Sequence, residues 1–539
     1  MIVSTYPQPK APDFYTTYIN KFEKLNSYFT YPWHDAAWAS RVGETLYPEH
    51  RRKDLVDTIR RGMRGTELHE AQLTNLQLLE KNALVTVAGQ QTGILTGPLY
   101  SIHKAVTAII LAKQIHEKTG QPMVPVFWMA GEDHDILEVN HFFIEKNREV
   151  TKLSLSIEAL STEMVADQTI DASELKGLLH QAFVAMPETE HTSELWKFLM
   201  ELAEKYGSYK EFFLQAFQHF FQHHGLLFVN SSDPAMREMG KPFTIQLIEE
   251  NAALREAVYE KEQQLSSEGY GFPIQCRMEN AHLFYVKDNH RYLLEATDEG
   301  FANEDLKKSW TKEELIQEVD RNPSCISHNV VTRPLMQQFL LPVHTFIGGP
   351  GEIAYWALLK EAFEAVQLKM PIVSPRFSIT LLPVAIEQKM DDVQVTIEEV
   401  WNGELPSRLH AFIDNQKNKE LTGQLDKMVT WLEEEYRNLQ DILKSEEFKI
   451  DPLLEKNKSI HVKQLSYLNQ AIEDLYYKRF DAETAKFLAI QNELVPNESL
   501  QERVYSPLHY LNKYGLHFVD QLVSIPYQLD GKHYVIHLA

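Results

Sequence analysis

Cysteine is scarce: Cys276 and Cys325 are the only 2 thiols in 539 residues. Two thiols cannot build a disulfide framework or a cysteine zinc site. Neither has a base beside it in sequence that would mark a nucleophile. Long apolar runs are also missing. None reaches the roughly 18 residues of a membrane span, and the first residues lack a basic-then-apolar secretion pattern. A cytoplasmic protein with no membrane partner is expected. Positive charge is in deficit, with 53 Lys and Arg against 76 Asp and Glu and a net charge of −23. Duplex or tRNA binding needs a basic face, so nucleic acid is not an expected partner. Two nucleotide fingerprints, G-x-x-x-x-G-K-[ST] and G-x-G-x-x-G, are absent as well. The remaining balance, 44% hydrophobic and 24% charged, is ordinary, and the length allows about two to four domains with a large core.

The most informative stretch present is LVTVAGQQTGILTGPLYSIHKAVTAIILAKQI, Leu84–Ile115. An apolar run (Leu84–Ala88) enters a loop with Gly89, Gly93 and Gly97, and Pro98 opens a helix to about Ile115. Strand, glycine loop and helix bring backbone N–H groups and a helix start to an anion. Gln90, Gln91, Thr92, Thr96, His103 and Lys104 lie in or just after that loop. Adjacent helix positions point about 100° apart, so only one of His103 and Lys104 is expected to face a ligand.

The unit recurs. Met123–Met129, Leu226–Asn230, Pro342–Ile347 and Pro371–Ser374 read as further strands, most ending in glycine, acidic or hydroxyl residues. Ligands of open parallel sheets bind at the carboxyl ends of strands, so these polar clusters should converge on one crevice. Thr151–Gly225 reads as a helical insertion, Ile274–Glu295 as an inserted hairpin with its turn at Asp288–His290, and Asn303–Asp320 as an acidic helix. The first 80 residues read as helical and aromatic, including Arg51–Lys81.

After Leu382 the pattern changes. Leu421, Leu425, Met428, Leu432, Leu439 and Ile442 follow alternating four- and three-residue steps, interrupted by Glu435, and Leu465, Leu468, Ile472 and Leu475 repeat the pattern. With a turn in Ser445–Pro452, this is an antiparallel coiled-coil hairpin with arms of roughly 45 Å. Its part-exposed seam favours a homodimer. In the last segment Val519–Ile525 and Tyr534–Leu538 read as strands. The expected divisions are 1–150 (N-terminal helices and first half of the core), 151–225 (helical insertion), 226–383 (second half of the core), 384–495 (hairpin) and 496–539 (return to the core).

The chemistry-bearing candidates follow. Gly131–Asp135 is GEDHD, with Glu138, Asn140 and His141 close behind. Asp133, His134 and Asp135 suit general-base work or amine binding, and the alternative is a helix cap. The spacing fits no zinc pattern, so no metal is expected. Asn329 and Arg333 precede a proline and suit a carboxylate, with an interdomain ion pair as the alternative. Gly349 and Glu352 belong to a second glycine-rich turn, and Ser374-Pro375-Arg376 is another anion candidate. At the hairpin root, Val384, Ala385 and Ile386 with Tyr505, Ser506 and Tyr510 could stack an adenine ring, against plain packing.

The strings GQQTGILTGPLYSIHKA, FWMAGEDHDILEVN, FVNSSDP, NVVTRPLMQQFLLPVHTFIGGPGEIAYW and PIVSPRFS resemble the BshC family over essentially the whole chain. The resemblance implies a ligase that joins L-cysteine to the amine of glucosaminyl-malate, the last step of bacillithiol biosynthesis. It implies an α/β fold with a Rossmann-like parallel-sheet core, similar to nucleotidylyltransferases and class I aminoacyl-tRNA ligases. Helical connecting insertions and a dimerising α-helical coiled coil complete it. His103 alone stands in for the H-I-G-H signature of class I ligases, and K-M-S-K-S is absent, so ATP or ADP is left open as a cofactor. The roles assigned are a catalytic set of Asp133, His134, Asp135 and His103. Gln90, Gln91, Thr92, Gly93, Thr96, Lys104, Asn329, Arg333, Gly349 and Glu352 form the substrate-binding set. The competing readings are a nucleotide-binding coiled-coil scaffold and a nucleotidylyltransferase-like transferase.

Overall fold

The apolar runs read from the sequence form one parallel sheet. The computed structural model describes residues 2–63, 67–157, 162–446 and 450–538. Its central sheet has five strands in the spatial order Ile372–Pro375, Val343–Gly348, Leu84–Gln90, Met123–Met129 and Leu227–Asn230. All four pairings are parallel. Such strands are buried on both faces, which is why they appear as continuous apolar runs and not as alternation. Tyr100–Thr119 is the first crossover helix; it buries Ile102, Val106, Leu111 and Ile115 and stops at Gly120, whose left-handed φ of 73° suits glycine. From Leu84–Gln90 the chain moves outward to the second and third strands, then returns to the other side for the fourth. The order therefore reverses between Leu84–Gln90 and Val343–Gly348, where a crevice opens in such sheets.

Several expectations are corrected. The hairpin is part of a five-stranded antiparallel sheet. Its strands are Asn280–Lys287 and His290–Thr297, with Asp288 and Asn289 both at positive φ in the turn. Asn303–Asp320 is helical only over Lys312–Arg321, because Lys308–Thr311 pairs with Gly300–Asn303 and Thr311 then caps the helix with Glu314. Ile2–Tyr6 is a strand that pairs antiparallel with His533–Leu538. Val519–Ile525 is not a strand: Phe518–Val523 is a helix that buries Phe518, Val519 and Leu522 on one face. A β-hairpin, His141–Lys146 with Glu149–Ser154, opens the segment read as helical from Thr151. Three readings fall partly outside the described residues: 64–66 of Arg51–Lys81, 158–161 of Thr151–Gly225, and 447–449 of the Ser445–Pro452 turn.

The chain divides into two units, Met1–Leu381 with Ser499–His537, and Leu382–Glu498 with Leu538–Ala539. The first contains the parallel sheet. In the second, Lys419–Ser445 and Asp451–Arg479 are long helices. They run antiparallel: Tyr436 bonds Asn457 and His461, Gln440 bonds Asp451, and Tyr476 bonds the backbone of Asn418.

Candidate functional site

The carboxyl ends of all five strands open into one cavity of about 630 Å³. The first strand contributes Gly89, Gln90 and Gln91. Glycine is required at 89, since a Cβ there would sit 2.8 Å from the Trp128 carbonyl oxygen of the neighbouring strand. Lys104, one turn into the crossover helix, reaches back beneath the loop. Its Nζ donates to Gly89 O at 2.8 Å and Gln90 Oε1 at 2.9 Å, and pairs with Glu352 at 2.6 Å. Burial lowers the Lys104 pKa, and Glu352 opposes that shift. Glu352 also accepts from Gly349 N at 2.9 Å, closing a capping box at the start of Pro350–Trp356. Lys104 therefore ties the first strand to the fourth across the switch point.

The second strand ends in the acidic loop. Gln91 Nε2 donates to Asp133 Oδ2 at 2.6 Å and Glu138 Oε2 at 2.7 Å. Glu132 is buried and paired with Arg237 at 3.1 Å. Arg291, from the antiparallel sheet, lies 4.0 Å from Asp133 and packs its guanidinium 3.9 Å over the Phe284 ring. Arg291 Nη1 is 3.3 Å from His134 Nδ1. A guanidinium only donates, so Nδ1 accepts and the neutral ring carries its proton on Nε2. Burial, reinforced by Arg291, lowers the His134 pKa and favours that neutral form. His134 thus presents a donor to the crevice beside the Asp133 carboxylate.

Arginines line the other wall. Arg333 donates to Tyr355 OH at 2.8 Å, and burial pushes the Tyr355 phenol up to about 12. Arg376 follows the fifth strand and forms a bidentate pair with buried Glu502, at 2.7 and 2.6 Å. Arg503 also lines the cavity. Among the described residues, neither Arg333 nor Arg503 has a carboxylate within ion-pair distance.

Of the residues expected here, Gln90, Gln91, Lys104, Asp133, His134, Asn329, Arg333, Gly349 and Glu352 line the cavity. Asn329 spends its side chain locally, accepting from Val331 N at 2.9 Å and meeting His282 Nδ1 at 3.1 Å. The others lie off the lining. Leu95 and Thr96 take left-handed φ values of 49° and 69°. The loop folds back there, with Thr92 and Thr96 buried in it and Gly93 against Gly97. His103 is fully buried with Nδ1 2.8 Å from Glu502, so of the two adjacent residues Lys104 faces the crevice. Asp135 is exposed at the start of Ile136–Val139, where its side chain makes no cap bond. Val384, Ala385 and Ile386 open the helix Val384–Val393 of the second unit. Tyr505, Ser506 and Tyr510 are buried in the first unit, where Tyr505 O accepts from Leu99 N at 2.8 Å.

Sequence reasoning missed Tyr100, Arg291, Glu502 and Arg503 as site residues, gave Glu132 no role of its own within the GEDHD loop, and named Arg376 only as an anion candidate. Tyr100 sits in the highlighted stretch, ten residues from its partner Gln90. No local signal marks Arg291 or Glu502, because their partners are far away in the chain: Arg291 and His134 are 157 residues apart, and His103 and Glu502 are 399 apart. His410, Asp414 and Glu473 bring potential metal-ligand atoms together in the second unit. The Lys417 ammonium already fills that role, 2.7 Å from Asp414 and 3.0 Å from Glu473.

Comparison with known proteins agrees over the full length. The family model "Bacillithiol biosynthesis BshC, N-terminal Rossmann-like domain" matches residues 1–377, and its C-terminal coiled-coil counterpart matches 379–538. The protein named "Putative cysteine ligase BshC" from Lysinibacillus sphaericus (strain C3-41) is 35% identical over 95% of this chain and 96% of its own. Proteins of the same name are 33% identical in Bacillus cereus (strain G9842), over 97% of each chain, and in Geobacillus kaustophilus (strain HTA426), over 100% of each. With a Rossmann-like crevice, a helical C-terminal region and full-length similarity, the chain belongs to the BshC family of bacillithiol biosynthesis.

Proposed function

We propose that the crevice joins L-cysteine to the amine of glucosaminyl-malate. One observation carries this: Arg333 and Arg503, free of carboxylate partners among the described residues, line the same cavity as the Asp133 carboxylate. A malate group carries two carboxylates, and two guanidiniums are the matching donors. The sugar amine must be neutral to attack. Its nitrogen adds to the acyl carbon of an activated cysteine, the activating group leaves with its bonding electrons, and the nitrogen's proton passes to Asp133. His134 Nε2–H and Gln91 orient the reacting groups. A free carboxylate and amine do not condense usefully in water, so cysteine reacts as an adenylate, an acyl phosphate or a pre-activated donor.

The test is complementation of a strain lacking its own gene, with bacillithiol measured by mass spectrometry. Asp133→Asn removes the proton acceptor and should lower thiol formation by about 10²–10⁴-fold. Arg333→Met should also lower it, and both variants should keep the wild-type unfolding temperature. Normal thiol in both would overturn the assignment, and normal thiol in the deletion strain itself would favour a scaffold.

We further infer that two copies pair through the coiled coil, whose long helices leave Met428, Leu439, Ile442 and Leu475 exposed in a single chain. A cytoplasmic location fits the two free, buried cysteines.

A further inference from the structure

A side pocket opens behind the crevice. Trp128, Glu132, Ser231, His328 and Arg333 line both spaces. Met236, Gly240, Met336 and Leu340 close the far end. The free void is about 10 Å³, the lower limit for one water-sized atom. It admits a single heavy atom and no branched side chain.

Its polar atoms are unspent. Trp128 Nε1, Ser231 Oγ and His328 Nδ1 have no hydrogen-bond partner among the described residues. The three residues are only 2%, 5% and 6% exposed. Such orphaned groups are costly and call for an occupant. The charged neighbours do not serve them. Glu132 is taken by Arg237 at 3.1 Å and by His328 N at 2.9 Å. Burial holds the His328 ring neutral, with a pKa of about 4. An indole N–H donates, a hydroxyl donates or accepts, and a neutral imidazole nitrogen can accept. A thiol offers one weak donor and a weak acceptor to that set. Two methionines and an indole supply the soft, polarizable contacts that sulfur prefers.

We infer that this side pocket takes the thiol of the amino-acid substrate, its sulfur among Trp128, Ser231 and His328 and its methylene carbon outside the void. The inference rests on the cysteine-ligase reading and adds how cysteine is told from larger side chains and from alanine. Larger side chains are excluded by size, and alanine leaves the void empty and the polar atoms unmet.

Position 240 provides a steric test that leaves the polar groups untouched. A Cβ at Gly240 would lie 2.8 Å from Met336 Sδ and 3.1 Å from its Cε, so the flexible end of Met336 must shift. Gly240 is inside the helix Pro234–Glu249, where alanine suits the backbone better than glycine. The full-length protein is titrated calorimetrically with L-cysteine, L-alanine and S-methyl-L-cysteine. Wild type should prefer cysteine to either analogue by about tenfold or more. Gly240→Ala should lose the preference over alanine while keeping its unfolding temperature, and Met336→Ala should gain S-methylcysteine binding. Equal binding of all three by wild type, no binding of any, or unchanged preferences in both variants would overturn the inference and leave the void to a buried water. The complementation assay separates the two ideas. If wild type fails to restore bacillithiol, the ligase reading falls, while the titration still decides whether the pocket recognises the thiol.

Discussion

Glu502 accepts from both terminal nitrogens of Arg376, from Ser378 Oγ at 3.0 Å and from Ile379 N at 3.2 Å, and it meets His103 Nδ1 at 2.8 Å. Burial alone would raise its pKa. Arg376 first, then His103, instead hold it well below the ordinary carboxylate value. The same pair keeps Arg376 charged, raised above its usual value despite burial. Removing one partner of a buried pair strands the other, so Glu502→Gln should cost about 3–5 kcal/mol at neutral pH in denaturant unfolding. The pH dependence has a fixed sign. A carboxyl with a depressed folded pKa binds more protons when unfolded, so its stabilisation is present above about pH 4.5 and is lost as pH falls below it. The gap between wild type and Glu502→Gln should therefore shrink on acidification from pH 5 downward, and a gap that widens would contradict the network. None of this was legible in the sequence. His103 stood out there for the motif around it, yet its carboxylate partner Glu502 comes from the C-terminal segment, and no local pattern announces a pairing across the chain.

Among the elements, legibility followed burial. The five parallel strands were readable because two covered faces favour apolar side chains at most positions, as in Val124, Val126 and Phe127. Val519 and Leu522 show the limit, because a short apolar run does not reveal whether its period is two or 3.6. Ile2–Tyr6 escaped because its mate, His533–Leu538, lies at the other end of the chain. The acidic loop was readable as a cluster, and the structure adds why it opens with glycine. A Cβ at Gly131 would meet Asn230 Oδ1 at 2.7 Å, Ala166 Cβ at 2.8 Å and Ser232 Oγ at 3.2 Å. These atoms belong to the end of the strand Leu227–Asn230, the turn after it and the helical turn Val165–Asp167, so Gly131→Ala must displace Glu132, Asp133 and His134 together. Overpacking of this kind costs about 1–3 kcal/mol. The expected result is a modest fall in unfolding temperature with a much larger fall in bacillithiol formation. Equal and small effects on both would mean that the loop's position does not matter to the reaction.

For the whole molecule, the crevice was inferred from strand ends alone, because parallel-sheet topology dictates where polar termini meet whatever their separation in sequence. The proposed pairing of two copies depends on the other unit. Two antiparallel helices bury only one seam between them, and here Leu425 and Leu454 are its buried members. Trp431 at 62% exposure, Ile442 at 59% and Leu475 at 62% remain on the outside of a single copy. Apolar seam residues left in water favour a second copy that covers them. The full chain should therefore sediment as a dimer at micromolar concentration. The double substitution Leu439→Asp with Ile442→Asp should convert it to monomer. Both side chains are exposed within one chain, so helical content and unfolding temperature should change little. A wild-type monomer, or a dimer that survives the two aspartates, would show that these helices meet their partner elsewhere.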